Sequence, residues 1–147
     1  MLNNIDALSA VGSKVKLEVH GGKVKKLRRQ SELEELAALI EWADKTVIDG
    51  IRIGDYLIHI PNEGKRGPKA ARDAKRLGVR AGVPDLFLAL PRGGYAGMWI
   101  EMKSTRGTVN CQQLKWLTRL AAVAYKTSIC KRLTDAKMII ERYIMSM

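Results

Sequence analysis

Two acidic residues and a lysine occur in two apolar segments near the middle of the chain. Asp85 opens the first segment, and Glu101 and Lys103 are close to the end of the second. A turn rich in proline and glycine, Pro91 to Gly94, separates the two segments. Two apolar segments of strand length joined by such a turn predict a β-hairpin.

The hairpin would gather these charged side chains at one end of an apolar sheet. Because side chains alternate along a strand, Glu101 and Lys103 point to the same face, and Asp85 can lie across from them. Buried charges are costly unless they are paired or bind an ion. The simplest chemical reason for such a cluster is a divalent metal ion and a phosphate group.

Length and charge fit a globular domain with a polyanionic partner. The chain has 147 residues, of which 46% are hydrophobic and 28% charged, enough for one domain with its own core. Its net charge of +11 and pI near 9.9 favour nucleic acid as the partner. No apolar segment approaches the roughly 20 residues that span a membrane, and no signal peptide is visible. We therefore expect no membrane partner and a cytoplasmic location.

Residues 1–30 form a basic extension, and the sequence leaves its structure open. From Lys14 to Arg29 there are seven lysine and arginine residues against the single acid Glu18. Charged and apolar residues alternate around Gly21-Gly22, which fits either a hairpin or a flexible arm. The extension could be simply solvated, or it could contact a phosphate backbone or a second subunit.

A helix is predicted to open the compact part of the chain. Ser31-Glu32-Leu33-Glu34 matches a capping box with Ser31 as N-cap, and the helix should run to about residue 44. Glu32 lies only about 30° from the centre of the apolar stripe. Its carboxylate could stabilise the helix dipole, or it could reach the Asp85–Glu101 cluster. The stripe consists of Leu36, Leu39, Ile40 and Ala43.

The segment from Lys65 to Arg80 carries seven basic residues against one aspartate. Gly67-Pro68 and Gly78 are start and stop signals for a helix over residues 69–77. Charged segments are commonly just solvated, but the position directly before Asp85 favours contact with a DNA backbone. The residues expected to pack inward are Ala70, Ala74 and Leu77. The residues of this segment expected to bind DNA are Lys65, Arg66, Lys69, Arg72, Arg76 and Arg80. Arg106, from the loop after the hairpin, is expected to join them.

Three elements are predicted after the hairpin. Asn110 can cap a helix over residues 111–124, a strand follows at 126–130, and Thr134 can cap a final helix. Gln113 lies on the inward side of the first of these helices, where its amide must be hydrogen-bonded. With a strand at residues 56–60, the predicted order is α-β-α-β-β-α-β-α. The inward residues of the two helices are Leu117, Leu120, Ala121 and Ala124 in the first, and Ile140, Tyr143 and Ile144 in the second.

Two motifs of the chain resemble the signature of a nuclease superfamily. Gly82-Val83-Pro84-Asp85 with Ile100-Glu101-Met102-Lys103 resembles the PD-(D/E)XK signature. The fuller pattern resembles its VRR-Nuc branch, the virus-type replication-repair nucleases, in particular the small stand-alone phage proteins. The resemblance makes residues 31–147 the nuclease domain. The supporting segments are Ser31-Glu32 leading to Trp42, Ile60-Pro61-Asn62, Gly94-Tyr95 and Gln113-Leu114-Lys115-Trp116.

The resemblance implies a restriction-endonuclease-like α/β core, with a mixed central sheet flanked by helices. In that family pattern Asp85 and Glu101 are metal ligands and Lys103 is the catalytic lysine. Glu32 is the helix-borne carboxylate, and Gln113 matches the glutamine of the motif. Two positions depart from the pattern: Leu36 replaces a glutamine, and Asn110-Cys111 replaces a Ser-Pro-like helix start.

The implied activity is metal-dependent cleavage of DNA. Mg²⁺ or Mn²⁺ prefers oxygen ligands, which Asp85, Glu101 and the backbone carbonyl of Met102 can supply, with Glu32 binding directly or through water. Small phage relatives are associated with homodimers that resolve four-way junctions, which implies a Holliday junction resolvase in the host cytoplasm. The alternatives are a flap or less selective DNA nuclease, or a catalytically idle DNA-binding module.

Overall fold

The computed structural model describes residues 16–20, 23–27, 30–62 and 67–147. Two of the predicted DNA-binding residues, Lys65 and Arg66, lie outside the described residues. In the N-terminal extension, strands β1 (Lys16–His20) and β2 (Lys23–Leu27) pair antiparallel, as in the hairpin alternative. No helix of the described part is long and apolar enough to cross a membrane.

A four-stranded mixed sheet forms the centre of the domain. Its strands are β5 (Leu57–His59), β6 (Leu86–Leu88), β7 (Met98–Met102) and β8 (Lys126–Cys130), in that order across the sheet. Strands β5, β6 and β7 pair antiparallel, which confirms the predicted hairpin, and β8 runs parallel to β7.

Four helices of the described chain are connected to this sheet. They are α1 (Gln30–Lys45), α2 (Pro68–Arg76), α3 (Cys111–Ala122) and α4 (Leu133–Met145). Along the chain they give α1-β5-α2-β6-β7-α3-β8-α4, so the predicted order and the mixed α/β class are confirmed.

One face of the sheet packs against α1 and α4 to form the core. Alternation along β6 and β7 sends Leu86 and Ile100, which are paired across the strands, to this face. The predicted stripes of α1 and α4 meet them, and Tyr143 donates a hydrogen bond to the Leu90 carbonyl oxygen. The opposite face carries Phe87 stacked on Trp99, with ring centroids 4.5 Å apart.

A small hairpin between α1 and β5 was not predicted from the sequence. Strands β3 (Val47–Ile48) and β4 (Ile51–Arg52) pair through Asp49 and Gly50, whose φ angles are +52° and +76°. Positive φ at both central residues is the conformation that Asp-Gly favours in tight hairpins. The hairpin leads into a short 3-10 turn that buries Ile53 in the core.

Two predictions of inward-facing residues were wrong. In α2, Ala70 and Leu77 are exposed and Ala74 is only half-buried, because the described chain does not pack over this helix. In α3, Ala121 is exposed, and so is Ala124. The reason at Ala124 is that the helix ends at residue 122 and this alanine takes a positive φ of 71°.

Two predicted helix starts were shifted. Helix α1 begins at Gln30, so Ser31 lies inside its first turn rather than before it. Helix α4 begins at Leu133 after Arg132, so Thr134 is likewise inside the helix. Shifts of this size are common, because the first turn of a helix has backbone groups that several residues can satisfy.

Candidate active site

Strand pairing brings the two acidic residues of the predicted cluster together. The antiparallel register pairs Leu86 with Ile100, so Asp85 and Glu101 are the next residues along the two strands. Asp85 Oδ2 accepts a hydrogen bond from the backbone N–H of Met102 at 2.8 Å. The two acidic residues are only 8% and 2% exposed. The hairpin therefore holds two buried carboxylates side by side.

Glu101 is held by two polar side chains. Its Oε1 lies 3.4 Å from Lys103 Nζ and accepts a hydrogen bond of 2.7 Å from Gln113 Nε2. Its pKa is nevertheless raised to about 7, first by burial and then by the negative charge of Asp85. Lys103 and the backbone N–H of Asp85 lower this pKa only in part. The site is thus short of positive charge.

Gln113 connects helix α3 to the carboxylates. Its Oε1 accepts from the backbone N–H of Asn110 at 3.0 Å, while its own N–H donates to Asn110 Oδ1 at 2.9 Å. This reciprocal capping box fixes the oxygen end of the amide, so the nitrogen end must face Glu101. The expectation that the Gln113 amide is hydrogen-bonded is confirmed. The Asn-x-x-Gln spacing was the available sequence signal for the box.

Glu32 approaches the site from helix α1 but does not join the carboxylate pair. Its Oε1 accepts a hydrogen bond of 3.2 Å from the backbone N–H of Ser104, the residue after Lys103. Within the described residues, no three histidine, cysteine, aspartate or glutamate side chains are arranged to hold a metal ion. The observed contact of Glu32 is therefore with the loop that follows β7.

The segment that contains the cationic helix α2 begins and ends at the end of the sheet where the carboxylates lie. The backbone N–H of Ile60 donates to the Asp85 carbonyl oxygen at 2.7 Å. The excursion over residues 61–84, which contains α2, therefore leaves and returns beside the carboxylates. Arg106, in the loop after β7, is also exposed. The described basic residues of the excursion are all exposed, namely Lys69, Arg72, Lys75, Arg76 and Arg80.

A close contact between the excursion and helix α3 was not foreseen. Trp116 Nε1 donates to the Ala81 carbonyl oxygen at 3.1 Å. Gly82 has a φ of +85°, and a Cβ there would lie 2.6 Å from the backbone carbon of Gln112. Glycine is required on both counts. This contact fixes the segment that enters Asp85 against the helix that carries Gln113.

The donor set of this site suits a hard divalent cation. Asp85 and Glu101 offer oxygen ligands, and both the burial and the mutual repulsion that raise the pKa of Glu101 would be offset by a nearby cation. With two side-chain ligands, the remaining positions would fall to oxygens from backbone, water or substrate.

The fold is a mixed α/β domain with paired carboxylates and a lysine at one end of its central sheet. The VRR-NUC domain family matches residues 30–132. A solved structure described as a VRR_NUC domain protein aligns with a TM-score of 0.67 at 29% identity, covering 80% of this chain and 91% of that one. No curated protein matches. The chain belongs to the VRR-NUC family, and that family implies a nuclease-type function.

Proposed function

We propose that this protein is a divalent-metal-dependent DNA endonuclease of the PD-(D/E)XK superfamily, of the small phage type. It would hydrolyse phosphodiesters to 5′-phosphate and 3′-hydroxyl ends, using Mg²⁺ or Mn²⁺. The observation that carries this proposal is the buried Asp85–Glu101 pair with Lys103 Nζ 3.4 Å from Glu101. A module that only binds DNA has no need for two carboxylates removed from water.

The side chains divide the work by their chemistry. Asp85 and Glu101, with the backbone carbonyl of Met102, would hold the cation. When bound, the cation would lower the pKa of a water molecule and neutralise charge on the scissile phosphate. Lys103 would position the attacking water or stabilise the developing negative charge. The side-chain amide of Gln113 donates to Glu101 and keeps that carboxylate in the orientation that the hairpin gives it.

Glu32 would act on the site from the first turn of α1. Its hydrogen bond to the Ser104 backbone fixes the chain just after Lys103. A contact between Glu32 and the cation would then run through a water molecule. In this arrangement Glu32 positions the lysine-bearing strand end, while Asp85 and Glu101 bind the metal.

The proposed substrate is a four-way DNA junction in the cytoplasm of the host cell. A net charge of +11 and the exposed cations of the excursion suit a substrate with several converging phosphate backbones. Each chain carries one Asp85–Glu101–Lys103 set, and resolution needs two cuts. A homodimer with two-fold symmetry would supply both.

One cleavage panel tests this proposal. Four-way junction, flap, duplex and single-stranded DNA are incubated with the protein, with and without Mg²⁺. We expect Mg²⁺-dependent paired nicks on the junction. Cleavage of flaps in preference to junctions would favour the flap-type alternative, and binding without cleavage of any substrate would indicate an idle module.

Mixed dimers test the assembly. Wild-type chains combined with Asp85→Asn chains should nick one strand of the junction only, because each dimer then keeps one intact site. A monomer in sedimentation that still cuts junctions symmetrically would contradict the homodimer.

A further inference from the structure

Leu77 is an apolar side chain in an unusual place. It caps the C-terminus of α2 and is 85% exposed, more than any other large apolar side chain of the described residues except the terminal Met147. Ala70 is also exposed on the apolar side of this helix. The helix thus presents an apolar side and a cationic side, and apart from the half-buried Ala74 the described chain covers neither.

Charge indicates what covers this end of the helix. Over nine residues α2 has four basic side chains and one acidic side chain, Asp73. A second copy docked here would bring two cationic helices together, whereas nucleic acid complements them. The surface around Leu77 therefore fits DNA better than it fits another protein chain of this sequence.

A hydrogen-bonded segment connects Leu77 to the carboxylates. The backbone N–H of Val79 donates to the Ala74 carbonyl oxygen at 2.9 Å, which turns the chain sharply after the helix. The same segment is then held on α3 by the Ala81–Trp116 hydrogen bond and enters Asp85. Leu77 consequently lies at the start of the loop that leads to Asp85.

We propose that Leu77 is an apolar wedge that enters the base stack of DNA beside the phosphate presented to the carboxylates. This inference deepens the proposed function and rests on it. Leucine is one of the residues that proteins insert between base steps, and such insertion must overcome base stacking. Stacking is already interrupted at a branch point, so the wedge favours branched DNA over intact duplex.

The test measures binding and base unstacking without cleavage. Junctions and matched duplexes carrying 2-aminopurine at the branch are titrated with full-length protein in EDTA. Wild type should raise the fluorescence of the junction. Leu77→Ala should lose that rise and weaken junction affinity by roughly tenfold, with duplex affinity changed by less than about twofold. Leu77→Met should retain the signal.

Val123→Ala is the matched control. Val123 is also an exposed C-cap residue, 61% exposed at the end of α3. It lies at the far end of the hairpin, where Ala124 accepts a hydrogen bond from the Ala96 N–H. This variant should behave as wild type in fluorescence and affinity, and an unchanged melting midpoint confirms that each variant is folded.

Three outcomes would overturn the wedge. They are a full fluorescence rise with Leu77→Ala, an equal loss of junction and duplex affinity, and a dimer that dissociates on this change alone. The last would assign Leu77 to a contact between copies. A wild type that unstacks the branch but cuts nothing with Mg²⁺ would instead contradict the nuclease proposal and leave the wedge standing.

Discussion

Replacing Glu101 by glutamine should stabilise the metal-free protein at neutral and alkaline pH. Glu101 is 2% exposed, and its pKa is raised from 4.5 to about 7 by burial and by the charge of Asp85. The folded state therefore holds this proton more tightly than the unfolded state. The stabilisation that comes from binding this proton is fully present below about pH 4.5 and is lost as the pH rises through 7.

The size of the effect follows from the pKa difference. Because the pKa of Glu101 is raised from 4.5 to about 7, ionising this side chain lowers the free energy of unfolding by about 3 kcal/mol at pH 8. Glutamine removes this cost but loses the charge pairing with Lys103. We expect the free energy of unfolding of Glu101→Gln to exceed that of the parent by about 1–3 kcal/mol at pH 8 and by less than about 1 kcal/mol at pH 5.

Urea titrations from pH 5 to pH 8 in EDTA measure this difference directly. With a slope of about 2 kcal/mol per M, the midpoint of the variant should lie on the order of 1 M higher at pH 8. Added Mg²⁺ should then stabilise the parent more than the variant, because only the parent keeps both carboxylates. Comparing the two proteins at each pH cancels the titration of the groups that do not interact with residue 101.

Glu41→Gln is the matched control, since Glu41 also pairs with a lysine but lies on the exposed side of α1. It should show little change in midpoint, because solvent screens such pairs. The reasoning would be refuted if Glu101→Gln were less stable than the parent by a constant amount at every pH. That result would make Glu101 a structural hydrogen-bond acceptor.

Three further changes separate chemistry from architecture. Lys103→Ala should stop cleavage while junction binding stays within about twofold, with the exposed Lys45→Ala as control; equal binding losses would contradict the catalytic role. Gly82→Ala should lower the free energy of unfolding by about 1–3 kcal/mol, since its Cβ meets the backbone of α3; an unchanged urea midpoint would contradict this. Tyr143→Phe should cost about 1–3 kcal/mol by leaving the buried Leu90 carbonyl without its donor, and a neutral effect in the same titration would show that water replaces it.

The sequence by itself determined the order of the four helices and of the strands of the central sheet, and the hairpin that bears the acidic residues. Strand alternation and a turn of proline and glycine allow Asp85 to lie across from Glu101, because both constraints are local. The register that pairs them is seen in the structure. The stripes of α1 and α4 were likewise predictable, since each has one apolar side and the sheet offers one face to receive it. The same local rules gave the strand at residues 126–130.

Tertiary structure alone decided which amphipathic side is covered. Helix α2 has the same kind of apolar spacing as α1, yet Leu77 faces water, because the excursion that carries α2 leaves the sheet instead of crossing it. Periodicity reports that a helix has an apolar side, and only the path of the chain determines what packs there.

The electrostatic state of the site also depended on distant elements meeting. Gln113 could be placed on the inward side of α3, but its bond to Glu101 required α3 to dock on the face of β7 that bears the carboxylate. The pKa of Glu101 near 7 arises from burial and from Asp85, which is 16 positions away in sequence. Burial and through-space charge are properties of the folded chain, so no local pattern encodes them.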